Sequence, residues 1–254
     1  MKFLTNEPAA VIGKKLILCE LHFGIELTLQ KRGVHIDLDP TIYSTRLNQL
    51  KQVSKTTELI VIGDFKDNYG GFEQRERNYF NELVSQLKFS KITVVKGNHD
   101  SRIEEMAKSF THFFVEPPNG TTFTYRGVSY GLFHGHAAAS TEVLKSDYLL
   151  MGHNHAGIQI GRKEFAKTLA AWIVAPFGKR QKLVCFPSFN PLSGAIPFNT
   201  ISQNKLHGPI FKDPQLHLEE AEAILLNGQR IGKLKHLRLP DKPTDTRFKK
   251  PSSP

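Results

Sequence analysis

Short apolar runs alternate along the chain with stretches of helical periodicity. Five runs rich in Ile, Leu and Val each close on polar residues or glycine: KLILCEL (15–21), ELIVIGDF (58–65), KITVVKGN (91–98), VSYGLFHG (128–135) and YLLMGHNH (148–155). Their length and aliphatic content predict strands that are buried on both faces. Because such strands alternate with helical patterns, the sequence predicts an α/β domain that contains parallel strands.

Two segments between these runs have the spacing of amphipathic helices. Segment 72–88 predicts one helix, and segment 41–53 predicts another with a single apolar stripe formed by Ile42, Leu47, Leu50 and Val53. Later in the chain, Arg126-Gly127 and Asn227-Gly228 separate apolar runs and predict hairpin turns. The last third of the chain should therefore be more antiparallel than the first.

Composition predicts one folded domain with a basic end. The 254 residues are 39% hydrophobic and 23% charged, which suits one large domain or two small ones with a full core. Because we find no convincing linker before about residue 240, we predict a single domain over residues 1–240. The net charge is +10, and half of it lies between Gly232 and Pro254, where seven Lys or Arg face two Asp. Residues 241–254 are predicted to form a basic, disordered tail, an interpretation we prefer to a nucleic-acid-binding arm.

The sequence also predicts a compartment. No segment approaches the roughly 18 apolar residues that a membrane span requires, and the first residues lack the apolar region of a secretory signal. Cys19 and Cys185 both lie inside apolar runs, which favours buried, reduced thiols over a disulfide. We therefore expect a cytoplasmic protein that does not associate with membranes.

Metal-type donors follow each of the five predicted strands. In order they are Glu20-x-His22, Gly63-Asp64, Gly97-Asn98-His99-Asp100, His134-Gly135-His136 and Gly152-His153-Asn154-His155. Taken alone, each motif has an ordinary interpretation, such as an N-cap or an Asx turn. Together they predict one site, because ligands of open α/β sheets bind outside the carboxyl ends of the strands.

The donor chemistry suits a particular reaction. Carboxylate, imidazole and amide oxygen without thiolate favour ions such as Mn²⁺, Fe²⁺ or Zn²⁺ over a structural zinc cage. Hydrolysis of phosphate esters can use two such ions about 3.5–4 Å apart, joined by a bridging carboxylate. The sequence supplies enough donors for this arrangement.

The order of these motifs resembles that of the calcineurin-like metallophosphoesterase superfamily. CELHFGIELTLQKRGVHI, GDFKD, KGNHD, LFHGH, MGHNHAGI and FPSFNPLSGAIPFN are similar, in order, to the archaeal phosphoesterases related to SbcD-type DNA-repair nucleases. The resemblance covers about residues 15–200. It implies a four-layer αββα sandwich of two mixed sheets flanked by helices, with the site at the strand ends.

The resemblance also implies two divalent metal ions, with Mn²⁺ preferred and Fe²⁺, Zn²⁺ or Ni²⁺ as alternatives. The ligands of the first ion would be Glu20, His22, Asp64 and His155. Those of the second would be Asp64, Asn98, His134 and His153, with Asp64 as the bridge. His99 would act on the phosphate as a general acid or a hydrogen-bond donor, and Asp100 would orient its ring. A hydroxide that bridges the two ions would attack phosphorus.

The predicted function is therefore metal-dependent hydrolysis of phosphodiester bonds, with DNA or RNA as the preferred substrate class. One departure from the family pattern is Glu20, since the family has Asp at this position. It leaves an alternative open, a catalytically weakened protein of the same fold with a nucleic-acid-associated or scaffolding role. Asp67 stands where the archaeal branch often has His, and we predict that it is solvated or only supports a ligand. Arg32 is predicted to lie in a solvated basic turn.

Overall fold

The computed structural model describes residues 1–34, 36, 41–70, 73–161 and 163–239. In chain order its β-strands are β1 (Lys2–Phe3), β2 (Ala9–Ile12), β3 (Lys15–Leu18), β4 (Glu58–Ile62), β5 (Lys91–Val95), β6 (Phe113–Glu116), β7 (Thr121–Tyr125), β8 (Val128–Phe133), β9 (Tyr148–Met151), β10 (Ala156–Ile160), β11 (Lys167–Phe177), β12 (Gln181–Cys185), β13 (Ile196–Pro197), β14 (Glu222–Leu225) and β15 (Arg230–Lys233). Its α-helices are α1 (Ile25–Lys31), α2 (Thr41–Ser54), α3 (Gln74–Gln86), α4 (Ile103–Ala107), α5 (Thr141–Leu144) and α6 (Leu234–Leu237). Its 3₁₀ helices are Lys163–Phe165, Pro191–Ser193, Gln203–Lys205, Pro209–Lys212 and Leu218–Glu220. The tail predicted for residues 241–254 lies outside the described residues.

The first sheet has the strand order β1-β2-β3-β4-β5-β6. Strands β3 to β6 are parallel, and their register pairs Leu18 with Val61 and Val61 with Val94. Because parallel strands in register end at one edge of a sheet, the loops after β3, β4 and β5 lie side by side. This arrangement brings Glu20 close to Asp64.

The second sheet has the order β13-β10-β11-β12-β9-β8-β7, with β14 paired to β11 and to β15. Strands β8, β9 and β12 are parallel to one another, and Phe133 at the end of β8 pairs with Met151 at the end of β9. The next residues also leave the sheet together, because the Gly152 N–H donates to the His134 carbonyl oxygen at 3.2 Å. The donors after these two strands therefore share one edge.

The two sheets face each other across a common apolar layer. Ile17 and Ile60 of the first sheet pack in one cluster with Leu150, Trp172 and Val184 of the second. Helices α2, α3 and α4 cover the outer face of the first sheet, and α5, α6 and short 3₁₀ segments cover that of the second. The predicted αββα sandwich of two mixed sheets is therefore confirmed.

The predicted helices and hairpins lie where the pattern placed them. The prediction of the apolar stripe of α2 is partly wrong. Leu47 and Leu50 are buried, whereas Ile42 and Val53 are 49% and 73% exposed. The buried face instead begins at Tyr43, since residues 43, 47 and 50 lie on one side of a helix with 3.6 residues per turn. Within the described residues, no helix has both the length and the apolar character needed to cross a bilayer.

Candidate metal centre

One group of donors joins the end of β3 to the end of β9. Glu20 Oε2 lies 3.1 Å from His22 Nε2 and 3.0 Å from His155 Nε2. The two imidazole nitrogens are 3.4 Å apart. These three atoms lie close enough to share a cation, and Glu20 itself is fully buried.

A second group extends from the same carboxylate to the end of β8. His134 places Nδ1 3.4 Å from Glu20 Oε1 and Nε2 3.3 Å from Asp64 Oδ2. Asp64 Oδ2 is also 4.0 Å from His22 Nε2, so Asp64 lies between the two groups. The position fits the bridging role that the resemblance implies, although Glu20 reaches both groups as well.

The two remaining predicted ligands of the second ion lie beside His134. Asn98 Oδ1 is 3.1 Å from His134 Nε2. The ring of His153 is centred 4.9 Å from the ring of His134, and the His153 backbone N–H donates to Glu20 Oε1. All seven predicted ligands are thus brought to one place, with His153 attached to the carboxylate cluster through its backbone.

The backbone is unusual at these positions. Within the described residues, nine residues other than glycine have positive φ. Five of the nine are predicted ligands: Glu20, His22, Asp64, His153 and His155. A left-handed conformation is uncommon for such residues and is concentrated at functional sites, because the surrounding fold must stabilise it. The strained turns aim these side chains at a common centre.

Two glycines provide the space for the carboxylates. A Cβ atom at Gly97 would lie 2.1 Å from Asp64 Oδ1, and one at Gly152 would lie 2.5 Å from Glu20 Oε1. Any side chain at either position would therefore displace a carboxylate of the centre. The glycines in the predicted motifs are part of the site, and their role is to permit close approach.

The electrostatics of the centre favour bound cations. Burial would raise the pKa of the Glu20 carboxyl, but the His134 imidazole holds it well below its usual range. Burial would lower the pKa of His22, yet its hydrogen bonds to Asp67 and Glu20 raise it to about 10. For His153, burial and the neighbouring His134 lower the pKa to about 4. At neutral pH a proton therefore competes with a metal ion for His22, whereas His153 carries no extra proton that a metal ion must displace.

The donor set fits divalent cations. Each of three groups offers carboxylate and imidazole atoms within 4.8 Å of one another: Glu20, His22 and His155; Glu20, Asp64 and His134; His22, Asp67 and His99. Mixed carboxylate and imidazole donors suit Mn²⁺, Fe²⁺ and Zn²⁺. The third group contains Asp67, to which the sequence assigned at most a supporting role.

The prediction that Asp100 orients the ring of His99 does not agree with the contacts of its carboxylate. The Asp100 carboxylate is fully buried, and it accepts hydrogen bonds from the backbone N–H groups of Phe65 and Gly97, both at 2.8 Å. The ring of His99 instead donates through Nδ1 to the backbone carbonyl of Asp67. Asp100 therefore joins the loops after β4 and β5, because its oxygens are occupied by backbone donors.

The segment 186–199 packs against the end of β3. The Asn190 N–H donates to the Glu20 carbonyl at 3.1 Å, and its side-chain amide donates to the Leu21 carbonyl at 3.0 Å. The Ser188 hydroxyl donates to the same Glu20 carbonyl at 3.2 Å. The left-handed turn that presents Glu20 is thus held by the second half of the chain.

The structure agrees with the interpretation in which Asp67 supports a ligand, but the sequence did not show that this ligand is His22. Asp67 Oδ1 accepts a hydrogen bond from His22 Nδ1 at 3.1 Å, which leaves His22 Nε2 facing Glu20. A carboxylate in this position fixes the tautomer and the orientation of a metal-binding imidazole. This contact could not be read from the motif Gly63-Asp64, because the contact joins two residues that are 45 positions apart in the chain.

We expect Asp67→Asn to weaken the binding of Mn²⁺ by about 10–100-fold, because the amide no longer favours a proton on His22 Nδ1. Isothermal titration calorimetry of the purified full chain measures this change. Asp147→Asn is the matched control, since Asp147 is an exposed carboxylate that accepts hydrogen bonds from Ser129 on the second sheet. Equal affinities for wild type and Asp67→Asn would contradict the prediction.

Comparison with known proteins gives a family and a fold. The family model for the calcineurin-like phosphoesterase superfamily domain matches residues 34–176. No curated protein sequence gives a significant match. The crystal structure of nuclease MPE from Pseudomonas putida is similar, with a TM-score of 0.53, 15% identity, and coverage of 84% of this chain and 85% of that one. Wild-type Vps29 from Entamoeba histolytica, complexed with Zn²⁺, gives a TM-score of 0.33, 13% identity and coverage of 72% and 77%.

At these identities the likeness to the nuclease speaks for the fold alone. The family match is stronger, because it spans more than half of the chain and includes five of the predicted ligands: Asp64, Asn98, His134, His153 and His155. Superfamily members are phosphoesterases that use divalent metals, and the buried carboxylates and imidazoles described above have the corresponding chemistry. The chain belongs to the calcineurin-like phosphoesterase superfamily.

Proposed function

We propose that this protein is a dinuclear metal-dependent phosphoesterase that hydrolyses phosphodiester bonds, with nucleic acid as the preferred substrate class. The observation that carries the proposal is the convergence of donors from five strand ends on one buried centre. Two overlapping groups share Glu20, and Asp64 lies between them. That arrangement is what a pair of adjacent cations requires.

Residues of both sheets would hold the ions. The first ion would be bound by Glu20, His22, Asp64 and His155, and the second by Asp64, Asn98, His134 and His153. When bound, the ions supply Lewis-acid polarisation of the phosphoryl oxygens and activation of water. Oxygen and imidazole nitrogen donors without thiolate suit Mn²⁺, Fe²⁺ or Zn²⁺, and Mn²⁺ is the ion we propose.

His99 is the residue we propose for proton transfer. Its backbone N–H donates to Asp64 Oδ1 at 2.9 Å, and its Nε2 lies 3.7 Å from Asp64 Oδ2. In the imidazolium form of His99, Nδ1 donates to the Asp67 carbonyl, and Nε2 is the nitrogen that can give a proton to the departing alkoxide. No residue of the chain needs to form a bond to phosphorus.

Four observations support a nucleic-acid substrate. A cleft of about 520 Å³ next to the centre is lined by His99 and Arg32, and the chain carries a net charge of +10. One solved structure of similar fold is that of a nuclease. The resemblance of the motifs to archaeal SbcD-related phosphoesterases points to the same class. A cytoplasmic location, a single domain over residues 1–240 and a basic tail over 241–254 complete the proposal.

The test is a substrate panel with the wild type and His99→Ala. We expect Mn²⁺-dependent hydrolysis of bis(p-nitrophenyl) phosphate and of DNA or RNA, and slower hydrolysis of p-nitrophenyl phosphate. Loss of a general acid should lower kcat for DNA or RNA, from which an alkoxide departs, by about 10²–10⁴-fold in His99→Ala. The effect on the p-nitrophenyl esters should be smaller, because p-nitrophenolate departs without a proton. His217→Ala removes an exposed histidine and serves as the control. Absence of metal-dependent turnover, or full activity in His99→Ala, would contradict the proposal.

The alternative is a catalytically weakened protein of the same fold with a nucleic-acid-associated or scaffolding role. It is motivated by Glu20, which stands where the family has Asp. The contacts of Glu20 with His22 and His155 weigh against it, since the longer carboxylate reaches both imidazoles. Elemental analysis separates the two functions, because about two ions per chain are required for the enzyme and one or none is expected of the weakened protein.

A further inference from the structure

Tyr69 is an exposed aromatic residue that the proposed chemistry does not use. Its side chain is 63% exposed, although its ring lies against the ring of His99. The ring centroids are 3.6 Å apart and the planes are inclined by 33°. A large aromatic surface therefore faces solvent directly beside the residue that we propose for proton transfer.

The loop that carries Tyr69 is fastened on both sides. The buried Lys66 ammonium donates to the carbonyls of Asn68 and Gly70, the latter at 2.8 Å. The Ser101 hydroxyl donates to the Tyr69 carbonyl and, at 2.9 Å, to the Gly70 carbonyl. Because its backbone is held in this way, Tyr69 would lose little conformational freedom on binding a ligand.

The cleft around Tyr69 combines apolar and cationic groups. Ile25, Leu29 and the 40% exposed Leu192 line the same cleft, together with Arg32. Apolar walls suit a planar ring, and a guanidinium suits a phosphate. The lining is therefore complementary to a nucleotide, whose base and phosphate are joined through a sugar.

We propose that Tyr69 is a stacking residue for the nucleobase that flanks the scissile phosphate, so that the cleft selects nucleotidyl phosphodiesters over diesters without a base. The inference rests on the proposed function and adds a specificity subsite to it. Aromatic side chains stack on any base, because each base offers a π-face. The subsite thus explains selection for nucleic acid without selection for sequence.

Two substrates with the same leaving group test the subsite. Thymidine 5′-(p-nitrophenyl phosphate) carries a base, ethyl p-nitrophenyl phosphate does not, and both release p-nitrophenolate. We expect the Mn²⁺-loaded wild type to prefer the thymidine ester. Tyr69→Ala should lower kcat/KM for that ester by about 5–150-fold, the effect of losing one base–aromatic stack, and should change the ethyl ester less than about twofold. Tyr69→Phe keeps the ring and should retain the preference.

The alternative role for Tyr69 is to position the His99 ring. In that case Tyr69→Ala would lower kcat equally for both esters, and this result would overturn the stacking subsite while leaving the proposed function intact. A wild type that hydrolyses both esters equally well would overturn it in the same way. If the wild type hydrolyses neither ester with any divalent metal, the proposed function and the subsite both fail. Phe165→Ala, which removes a residue that is 85% exposed in the β10–β11 connection, is the control for loss of an exposed aromatic.

Discussion

Asp64→Asn is expected to lower kcat for phosphodiester hydrolysis by at least about 10³-fold. The substitution removes the negative charge that would hold the metal ions, and bound ions stabilise the transition state by several kcal/mol. Asp64 Oδ2 lies 3.3 Å from His134 Nε2, 3.7 Å from His99 Nε2 and 4.0 Å from His22 Nε2. A neutral amide at this point is a poor bridge between two cations. Steady-state kinetics and elemental analysis of the same preparation measure both consequences.

The substitution should leave the fold intact. Asn has nearly the shape of Asp, and its carbonyl oxygen can still accept the hydrogen bond that Asp64 Oδ1 receives from the His99 N–H at 2.9 Å. Asp213→Asn is the matched control, because Asp213 Oδ1 likewise accepts from a backbone N–H, that of Gln215, at 2.9 Å. Wild-type activity and a full metal content in Asp64→Asn would rule out Asp64 as the bridge.

Glu20→Asp is expected to lower both the affinity for metal and kcat, each by about 10-fold or more. The metal content of the purified protein should fall with the affinity. The change withdraws the carboxylate by about 1.5 Å, the length of one carbon–carbon bond. In the wild-type protein, Glu20 Oε2 lies 3.0 Å from His155 Nε2, and Glu20 Oε1 accepts a hydrogen bond from the His153 N–H. A shorter acid cannot keep both contacts. Gly152 leaves room for the longer one, since a Cβ there would lie 2.5 Å from Oε1.

Glu20→Gln is the companion variant, because it keeps the length of the side chain and removes its charge. We expect it to bind less metal than Glu20→Asp, since the imidazoles of His22 and His134 would lose the anion that faces them. We expect metal titration and kinetics on the three proteins to show that metal affinity and kcat decrease in the order wild type, Glu20→Asp, Glu20→Gln. If Glu20→Asp instead binds more metal and is more active than the wild type, the native site is weakened. The alternative of a nucleic-acid-associated or scaffolding role is then the better supported function.

The convergence of the ligands could be predicted from the sequence because it depends on strand order and on little else. Donors that follow the ends of parallel strands of one sheet lie at the same edge of that sheet. Asp64 and His134 belong to different sheets, and they were placed together by the resemblance to the superfamily. Their oxygen and nitrogen lie 3.3 Å apart. The stripe of α2 was predicted less well, because apolar residues such as Val53 can also lie at the surface.

The orientation of individual side chains could not be predicted. Asp100 follows His99 directly, yet its carboxylate turns to backbone N–H groups of another loop. Asp67 was expected to be solvated or to support a ligand, and it contacts the imidazole of His22 across 45 residues. Such contacts depend on how loops fold over one another, and adjacency along the chain says nothing about them.

By itself, therefore, the sequence determined an α/β domain with parallel strands and the strand ends at which the ligands gather, because hydrophobic periodicity and strand ends are local properties. The family and its two-sheet sandwich came from the order of the motifs, through the resemblance to the superfamily. Tertiary structure alone decided which atoms meet there: Glu20 between two imidazoles, Asp67 behind His22, and Tyr69 against His99. These contacts need left-handed turns at the ligands and glycines beside the carboxylates. Both are stable only when the packed sheets on either side hold the loops in place.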